Sequence, residues 1–181
     1  MKGIMFNTKY GLEQAVLRGR KTRTWRADKE PRYTVGEIVA VKQSYKTIVA
    51  TESKEWLYNK GLLTNLPIEG EIMPLAYLRS AGYANKMYVS NDLMPHRIRI
   101  TKVTPCRLQD ISDVECIEEG ISYIADIDKF YFECKAKDEG YYFYTPRDAF
   151  AGLIDKLNGK GYFDSNPLGY AYEFVLADAL C

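Results

Sequence analysis

The sequence predicts an α+β fold, in which the strands close on themselves and the helices lie outside them. Three observations predict this class. Some segments place apolar residues at the i, i+3, i+4 spacing of an amphipathic helix, whereas others alternate apolar and polar residues as a half-exposed strand does. These elements follow the order helix, strands, strand, helix, helix, strand. The chain has 181 residues, of which 46% are apolar, and we therefore expect one domain over residues 1–181.

The first predicted helix runs from about Tyr10 to Arg18. Its apolar stripe consists of Leu12, Ala15 and Val16. Gly19 is a natural stop, because glycine adopts the left-handed conformation that ends many helices. The basic segment RGRKTRTWR, residues 18–26, therefore begins just past a helix C-terminus, where the helix dipole favours cations.

A second predicted helix lies in SDVECIEEG, residues 112–120. Ser112 and Glu115 have the spacing of a capping box, and Gly120 ends the helix. Glu119 falls in the last turn, where the dipole mildly disfavours a carboxylate.

The third predicted helix lies within residues 141–157. Thr145 is the expected N-cap and Pro146 the first helical residue. The apolar stripe consists of Phe150, Leu153, Ile154 and Leu157, and Asn158 with Gly159 closes the helix.

Three segments predict strands. Residues 38–41 are apolar on both faces, residues 96–103 alternate around Ile98 and Ile100, and residues 170–177 form an aromatic final strand. For residues 46–94, with turn signals that include Pro67, we expect short strands and loops.

Charge is distributed unevenly along the chain. Residues 1–50 hold 11 Lys and Arg against 4 Asp and Glu, whereas residues 110–139 hold 3 against 10. The two segments either neutralise each other in the fold or leave a basic face for an anionic ligand. The sequence alone does not decide between these.

Several kinds of site and location are disfavoured by the sequence. No apolar run approaches the ~20 residues of a membrane helix, and the N-terminus turns polar after Phe6, so we expect a cytoplasmic protein without membrane partners. The cysteines are widely spaced, and His96 is the sole histidine; hence we predict idle reduced thiols, no metal site and no cofactor. The cysteines are Cys106, Cys116, Cys134 and Cys181.

The basic segment has three interpretations: a solvated loop, a phosphate-binding patch, or the setting of a catalytic lysine. Arginines around Lys21, with partial burial, would lower its pKa, and the neutral amine could act as a base toward the Thr24 hydroxyl. The 15 tyrosines leave two alternatives as well, packing within strands or stacking on bases. Tyr141, Tyr142 and Tyr144 form the densest cluster.

Three blocks in order resemble the ASCH domains, in particular a longer, phage-associated branch. They are LRGRKTRTWR at residues 17–26, LQDIS…EEGI at residues 108–121, and NGKGYFDSNPLGYAYEFVL at residues 158–176. The resemblance implies a PUA-like β-barrel with flanking helices and a cleft beside the basic loop. It also implies RNA or a modified nucleobase or nucleoside as ligand. Segments at about 46–94 and 122–144 are variable insertions outside the resemblance.

One small ASCH subfamily hydrolyses the amide of N4-acetylcytidine. Its catalytic positions fall on Lys21, Thr24 and Glu119, so the resemblance implies a Lys, Thr and Glu site here. A glutamate beside Lys21 would raise the lysine pKa again, and the sequence leaves open which influence is larger. We expect Arg20, Thr22 and Arg26 to bind the ligand or anchor the loop, and Arg18 and Arg23 to be exposed.

One stretch departs from the phage-associated branch. Gln43 stands where that branch commonly has an acid, and Tyr45 where it commonly has Trp. If the acid is needed for activity, the protein binds its ligand without cleaving it. Three hypotheses therefore stand: binding of RNA or a nucleoside, amide hydrolysis of an acylated cytosine nucleoside, and a protein-interaction module built on residues 110–139.

Overall fold

The computed structural model of the protein describes residues 1–66, 70–134 and 139–177, and it confirms the α+β class. The strands are β1 (Gly3–Ile4), β2 (Arg23–Arg26), β3 (Ile38–Val41), β4 (Thr64–Leu66), β5 (Gly70–Ile72), β6 (Arg97–Arg107), β7 (Ser122–Ile124), β8 (Lys129–Cys134), β9 (Glu139–Phe143) and β10 (Leu168–Ala177). The helices are α1 (Leu12–Leu17), α2 (Tyr45–Thr51), α3 (Lys54–Asn59), α4 (Leu75–Leu78), α5 (Asp113–Glu118) and α6 (Pro146–Asn158).

These elements divide between two compact units. The first holds Met1–Phe6 and Ile38–Arg97, and the second holds Asn7–Glu37 and Ile98–Ala177. A single domain over residues 1–181 stays a prediction.

In the first unit, β1 pairs with β3 in parallel and β4 pairs with β5 in antiparallel fashion. The expectation of short strands and loops over residues 46–94 is confirmed for β4 and β5, but it misses the helices α2 and α3. Ser44 and Ser53 cap them by accepting hydrogen bonds from the backbone N–H groups of Thr47 and Trp56, a helix-start signal at each serine. Pro67 lies outside the described residues.

In the second unit, β10 lies between β6 and β2, and β2 is at the edge. The pairing of β10 with β2 is antiparallel and sets Tyr172 opposite Thr24. The predicted strand around Ile98 and Ile100 is confirmed, since both side chains are fully buried. The described strands form open sheets, and no closed barrel is seen among them.

The helix ends of the second unit follow the predicted signals. α1 ends at Gly19, whose N–H bonds to the Val16 carbonyl while the Arg20 N–H bonds to the Ala15 carbonyl. This is a Schellman motif, with Gly19 at a φ of 69°. At α5 the capping box of Ser112 and Glu115 is present.

The same unit contains the antiparallel sheet β7-β8-β9. Helix α6 begins at Thr145, which accepts a hydrogen bond from the Asp148 N–H, as predicted. α6 packs on β8 and β9. Phe132 and Cys134 are buried, and Gly152 leaves room for the Phe143 ring. One face of the sheet is therefore covered.

Candidate functional site

Two helix ends bring Lys21 and Glu119 together. Lys21 lies two residues past Gly19, and its backbone N–H also bonds to the Ala15 carbonyl. Glu119 is the last residue before Gly120, which ends α5 in a second Schellman motif at a φ of 105°. A side chain at Gly120 would lie 3.5 Å from the Lys21 Cδ atom, so glycine allows the lysine stem to pass close to this turn.

Lys21 and Glu119 form a buried ion pair. The lysine Nζ lies 2.7 Å from the Glu119 Oε2 atom and donates a second hydrogen bond, of 2.6 Å, to the Glu119 backbone carbonyl. The two residues are only 2% and 4% exposed. Interactions between charges strengthen as water is excluded, but each charge first loses its hydration. The pair therefore depends on the further hydrogen bonds that Glu119 accepts.

Glu119 also supports the edge strand β2. Its Oε1 atom accepts a 2.5 Å hydrogen bond from the Trp25 backbone N–H and a 3.3 Å bond from the Arg23 guanidinium. An edge strand presents unpaired N–H groups, and the carboxylate satisfies one of them here. Three donors on β2 and the preceding loop thus converge on one carboxylate.

Arg23 is not the exposed charge that the sequence predicts. It is buried, and its guanidinium lies 3.3 Å from both Glu115 and Glu119. The expectation is wrong because alternation along β2 turns this side chain toward α5, where two acids offset its charge.

The pKa of Lys21 is lowered from its ordinary value. Desolvation by burial is the largest cause, and Arg26 and Arg23 lower it further, whereas Glu119 raises it through charge and hydrogen bonding. Burial therefore outweighs the glutamate, which answers the question that the sequence leaves open. A lysine in this setting releases its proton more readily than an exposed one, as a general base must.

Thr24 does not join the pair. It is buried in β2 between Arg23 and Trp25, and successive side chains of a strand point to opposite faces. Its side chain therefore lies on the face of β2 opposite the Arg23 side chain, whose guanidinium reaches Glu119. The structure thus brings together two of the three positions that the resemblance implies as catalytic.

The residues expected to bind ligand occupy different settings. Arg20 is exposed, and its guanidinium donates a 2.7 Å hydrogen bond to the Ser122 hydroxyl. Thr22 is half-buried, and its backbone N–H bonds to the Glu118 carbonyl while its own carbonyl accepts from Phe174. Arg26 is half-buried at the end of β2. Arg20 is thus the member of this set that reaches the surface.

Arg20 lines a surface groove of about 520 Å³ within the second unit. The groove is lined by Arg18, Arg20, Ile117, Ile121, Ser122, Tyr123, Tyr131 and Glu133, which we call the Arg–Tyr groove. Its two arginines are exposed cations, as predicted for Arg18, and Glu133 is its one acidic side chain. Cationic side chains beside aromatic rings are typical of sites that bind nucleotides.

The basic segment 18–26 and the acidic segment 110–139 form ion pairs with each other, but only in part. Lys21 and Arg23 pair with Glu119 and Glu115, so acids from residues 110–139 neutralise the buried half of the basic segment. Arg18 and Arg20 remain exposed on the groove. A fully neutralised loop, the observation that would favour a protein-interaction module, is therefore not what the described residues form.

Tyr123 and Tyr131 are groove residues that the sequence did not single out. The signal available was the alternation in KFYFEC, residues 129–134, which places Tyr131 on the face opposite Phe132. Alternation shows that the two rings point to different sides, but it does not show which side faces a groove.

Gln43, the departure from the phage-associated branch, is fully buried in the first unit. Neither side-chain amide atom has a hydrogen-bond partner among the described residues. An unpaired buried amide costs free energy of unfolding, about 1–3 kcal/mol. Gln43 thus differs from an acid in charge while remaining a buried polar group.

Two further features of the described residues bear on other kinds of site. Every helix there is too short or too polar to cross a bilayer, and nowhere there do three His, Cys, Asp or Glu side chains cluster in an arrangement suited to a metal ion. Comparison with known proteins found that no family model, no curated protein and no solved structure matches the chain.

Proposed function

We propose that the protein binds RNA or a nucleobase or nucleoside, including modified ones, in the Arg–Tyr groove beside the GRKTRT loop. The observation that carries the proposal is that Arg20 of this loop lines one groove with Tyr131. A guanidinium binds phosphate oxygens through several N–H donors, and a tyrosine ring offers a face on which any base stacks. The phosphate of a nucleotide thus has a guanidinium to bind it, and the base has a tyrosine ring on which to stack.

The fixed position of Arg20 supports the same proposal. Its hydrogen bond to Ser122 holds the guanidinium at the groove wall, and pre-ordered side chains bind with a smaller entropy loss. The buried pair of Lys21 and Glu119 ties the segment before β2 to the end of α5. In this proposal the pair positions the loop, and Arg20 and Arg18 contact the ligand.

The resemblance to the ASCH domains belongs to this proposal as well. It rests on the three sequence blocks, and the PUA-like arrangement is proposed for the second unit around β6, β10 and β2. The α+β class supports it only at a coarse level.

The test measures binding of cytidine 5′-monophosphate and of an RNA octamer to the wild-type protein and to Arg20→Ala. We expect at least a tenfold weaker affinity for both ligands, because the guanidinium contacts phosphate in each. Arg99→Ala is the matched control, since Arg99 is exposed on β6 and does not line the groove; it should change affinity by less than about twofold. Unchanged binding by Arg20→Ala would show that the groove is not the site.

A second candidate function, hydrolysis of the amide of an acylated cytosine nucleoside, is favoured by the lowered pKa of Lys21 beside Glu119. In this reaction the neutral Lys21 amine takes the Thr24 hydroxyl proton while the oxygen attacks the acyl carbon. The C–N bond then breaks, and the nucleoside amine leaves with the proton that Lys21 took from Thr24. Water cleaves the acyl–threonine ester and releases the carboxylic acid.

This second candidate makes a demand that the first does not. Lys21, Thr24 and Glu119 are all buried, so a substrate reaches them only if β2 or the end of α5 moves. The same movement has to bring the Thr24 hydroxyl within reach of the Lys21 amine. Incubation with N4-acetylcytidine, followed by ultraviolet absorbance, tests it, with Lys21→Met as the inactive control. Absence of turnover at high protein concentration rejects this substrate, and equal turnover by Lys21→Met rejects Lys21 as the base.

A further inference from the structure

The sheet β7-β8-β9 carries a row of side chains on the side away from α6. The register sets Ser122 opposite Tyr131, and Tyr131 opposite Tyr142. Phe132, the next residue along β8, is buried on the other side. We call the outward row of Ser122, Lys129, Tyr131 and Tyr142, together with Tyr144 just past β9, the tyrosine face.

Two rings of this face are stacked side by side, and two of its rings are accessible to solvent. The Tyr131 and Tyr142 centroids lie 6.0 Å apart with an interplanar angle of 25°. A side chain at Gly140 would lie 2.9 Å from the Tyr142 ring, so glycine lets that ring lie over the strand. Tyr142 is 55% exposed and Tyr144 is 82% exposed. Cross-strand aromatic pairing stabilises a sheet, but it does not require this much exposure.

The tyrosine face is continuous with the Arg–Tyr groove. Tyr131 and Ser122 belong to both, so the exposed guanidinium groups of Arg18 and Arg20 lie at one end of the row. Two residues along β8 from Tyr131, the Lys129 ammonium lies over the Tyr144 ring. A polyanion with flat bases therefore meets arginines at the groove, a lysine beside Tyr144, and exposed aromatic rings near both.

Glu133 bears on the kind of polyanion that fits the groove. It lines the groove on the same strand as Tyr131. A carboxylate repels phosphate but accepts a hydrogen bond from a hydroxyl, and a ribose 2′-hydroxyl is such a donor. The acids Asp126 and Asp128 nearby are exposed, and Asp128 accepts a 2.9 Å hydrogen bond from Tyr123. In a strand bound here, we expect the phosphates toward Arg18 and Arg20 and the sugars toward Glu133.

We infer that the tyrosine face binds single-stranded RNA, with successive bases stacked on Tyr131 and Tyr142 and the 5′ or 3′ phosphate of the first nucleotide on Arg18 and Arg20. This inference rests on the proposed function and extends it. The groove alone accommodates one nucleotide, whereas the groove and the face together accommodate a strand. The face lies within residues 122–144, outside the segments that resemble the ASCH domains.

The test compares ligands of increasing length, namely cytidine 5′-monophosphate and single-stranded cytidine oligoribonucleotides of two, four and eight residues. We expect affinity to rise with length up to the oligomer that covers the face. Tyr142→Ala should weaken the octamer about tenfold while affecting the mononucleotide far less. Tyr142→Phe, which keeps the ring and loses the hydroxyl, should bind the octamer like the wild type.

Tyr88→Ala is the matched control, because Tyr88 is a comparably exposed tyrosine that lies outside the face; it should leave every affinity unchanged. An octamer that binds no more tightly than the mononucleotide, or equally well to Tyr142→Ala, overturns the inference. If Arg20→Ala still weakens the mononucleotide, the proposed function survives that outcome; if Arg20→Ala changes nothing, both fail. Equal affinity for a DNA octamer overturns the assignment to RNA, and Glu133→Gln should reduce the preference for RNA.

Discussion

At the scale of single residues, Glu119 accepts hydrogen bonds from three different residues. It receives hydrogen bonds from Lys21, from Arg23 and from the Trp25 backbone. Two of the Lys21 hydrogen bonds go to Glu119, one to its carboxylate and one to its backbone carbonyl. Removal of the Glu119 carboxylate should therefore lower the free energy of unfolding more than removal of the Lys21 ammonium.

We predict that Glu119→Gln lowers the free energy of unfolding by about 3–5 kcal/mol, because it leaves the buried Lys21 ammonium without its counter-charge and leaves Arg23 with Glu115 alone. Lys21→Met should cost less, since Glu119 keeps Arg23 and the Trp25 N–H. Urea unfolding measures both. Glu118→Gln is the matched control in the same turn, and we expect it to be within about 0.5 kcal/mol of the wild type. A larger loss for Lys21→Met than for Glu119→Gln would contradict this order.

The lowered pKa of Lys21 predicts a pH dependence of stability. The folded protein holds this proton less tightly than the unfolded chain, so unfolding takes up a proton at any pH between the lowered folded value and the ordinary 10.5. The wild type should therefore gain stability relative to Lys21→Met as the pH rises through that window. Urea unfolding of both proteins from pH 7 to 10 measures the difference. A difference that is constant, or falls with pH, would show that burial does not control this lysine.

At the scale of elements, the candidate site depends on how two helices end. Gly19 and Gly120 both have positive φ and both close Schellman motifs. Lys21 follows the first of these turns, and Glu119 immediately precedes the second. Short-range chemistry thus sets the positions of two residues that are 98 apart in the sequence.

Substitution of these glycines tests that dependence. Gly19→Ala should cost about 1 kcal/mol of unfolding free energy, from the left-handed backbone alone, because nothing lies within 4 Å of the added carbon. Gly120→Ala should cost more, since its carbon would also lie 3.2 Å from Leu12. Thermal unfolding of Gly19→Ala and Gly120→Ala measures the two losses. Gly19→Asn is the control: asparagine tolerates the left-handed turn, so this variant should be nearly as stable as the wild type. Equal losses at Gly19 and Gly120 would argue against crowding at Gly120.

At the scale of the whole molecule, burial of the thiols reports on the integrity of the fold. The three described cysteines are free, and Cys116 and Cys134 are fully buried while Cys106 is half-buried. The expectation of buried or idle thiols is therefore confirmed for Cys116 and Cys134, and Cys181 lies outside the described residues. Desolvation raises the pKa of Cys116 to about 12, which leaves almost no thiolate at neutral pH.

We predict that iodoacetamide at pH 8 modifies Cys116 and Cys134 only when the protein unfolds, whereas Cys106 reacts slowly in the native state. Peptide mapping after brief labelling, with and without urea, measures the reaction at each cysteine separately. Labelling of Cys116 in native buffer at the rate of Cys106 would show that α5 opens without global unfolding.

The sequence by itself determined the α+β class, the caps of α1, α5 and α6, and the strands around Ile38, Ile98 and Tyr172. These follow from the periodicity and capping chemistry of neighbouring residues, which act over a few positions. Over residues 46–94 the sequence predicts the short strands but not α2 and α3, although Ser44 and Ser53 carry the local capping signal for both helices.

Only the tertiary structure decided which charges meet. Arg23 and Arg18 look equivalent in RGRKTRTWR, yet one is buried against Glu115 and Glu119 and the other is exposed on a groove. It also decided the sign of the Lys21 pKa shift, which depends on the balance of burial and a partner 98 residues away. Burial and long-range pairing depend on three-dimensional distance, and sequence spacing carries that information only within an element.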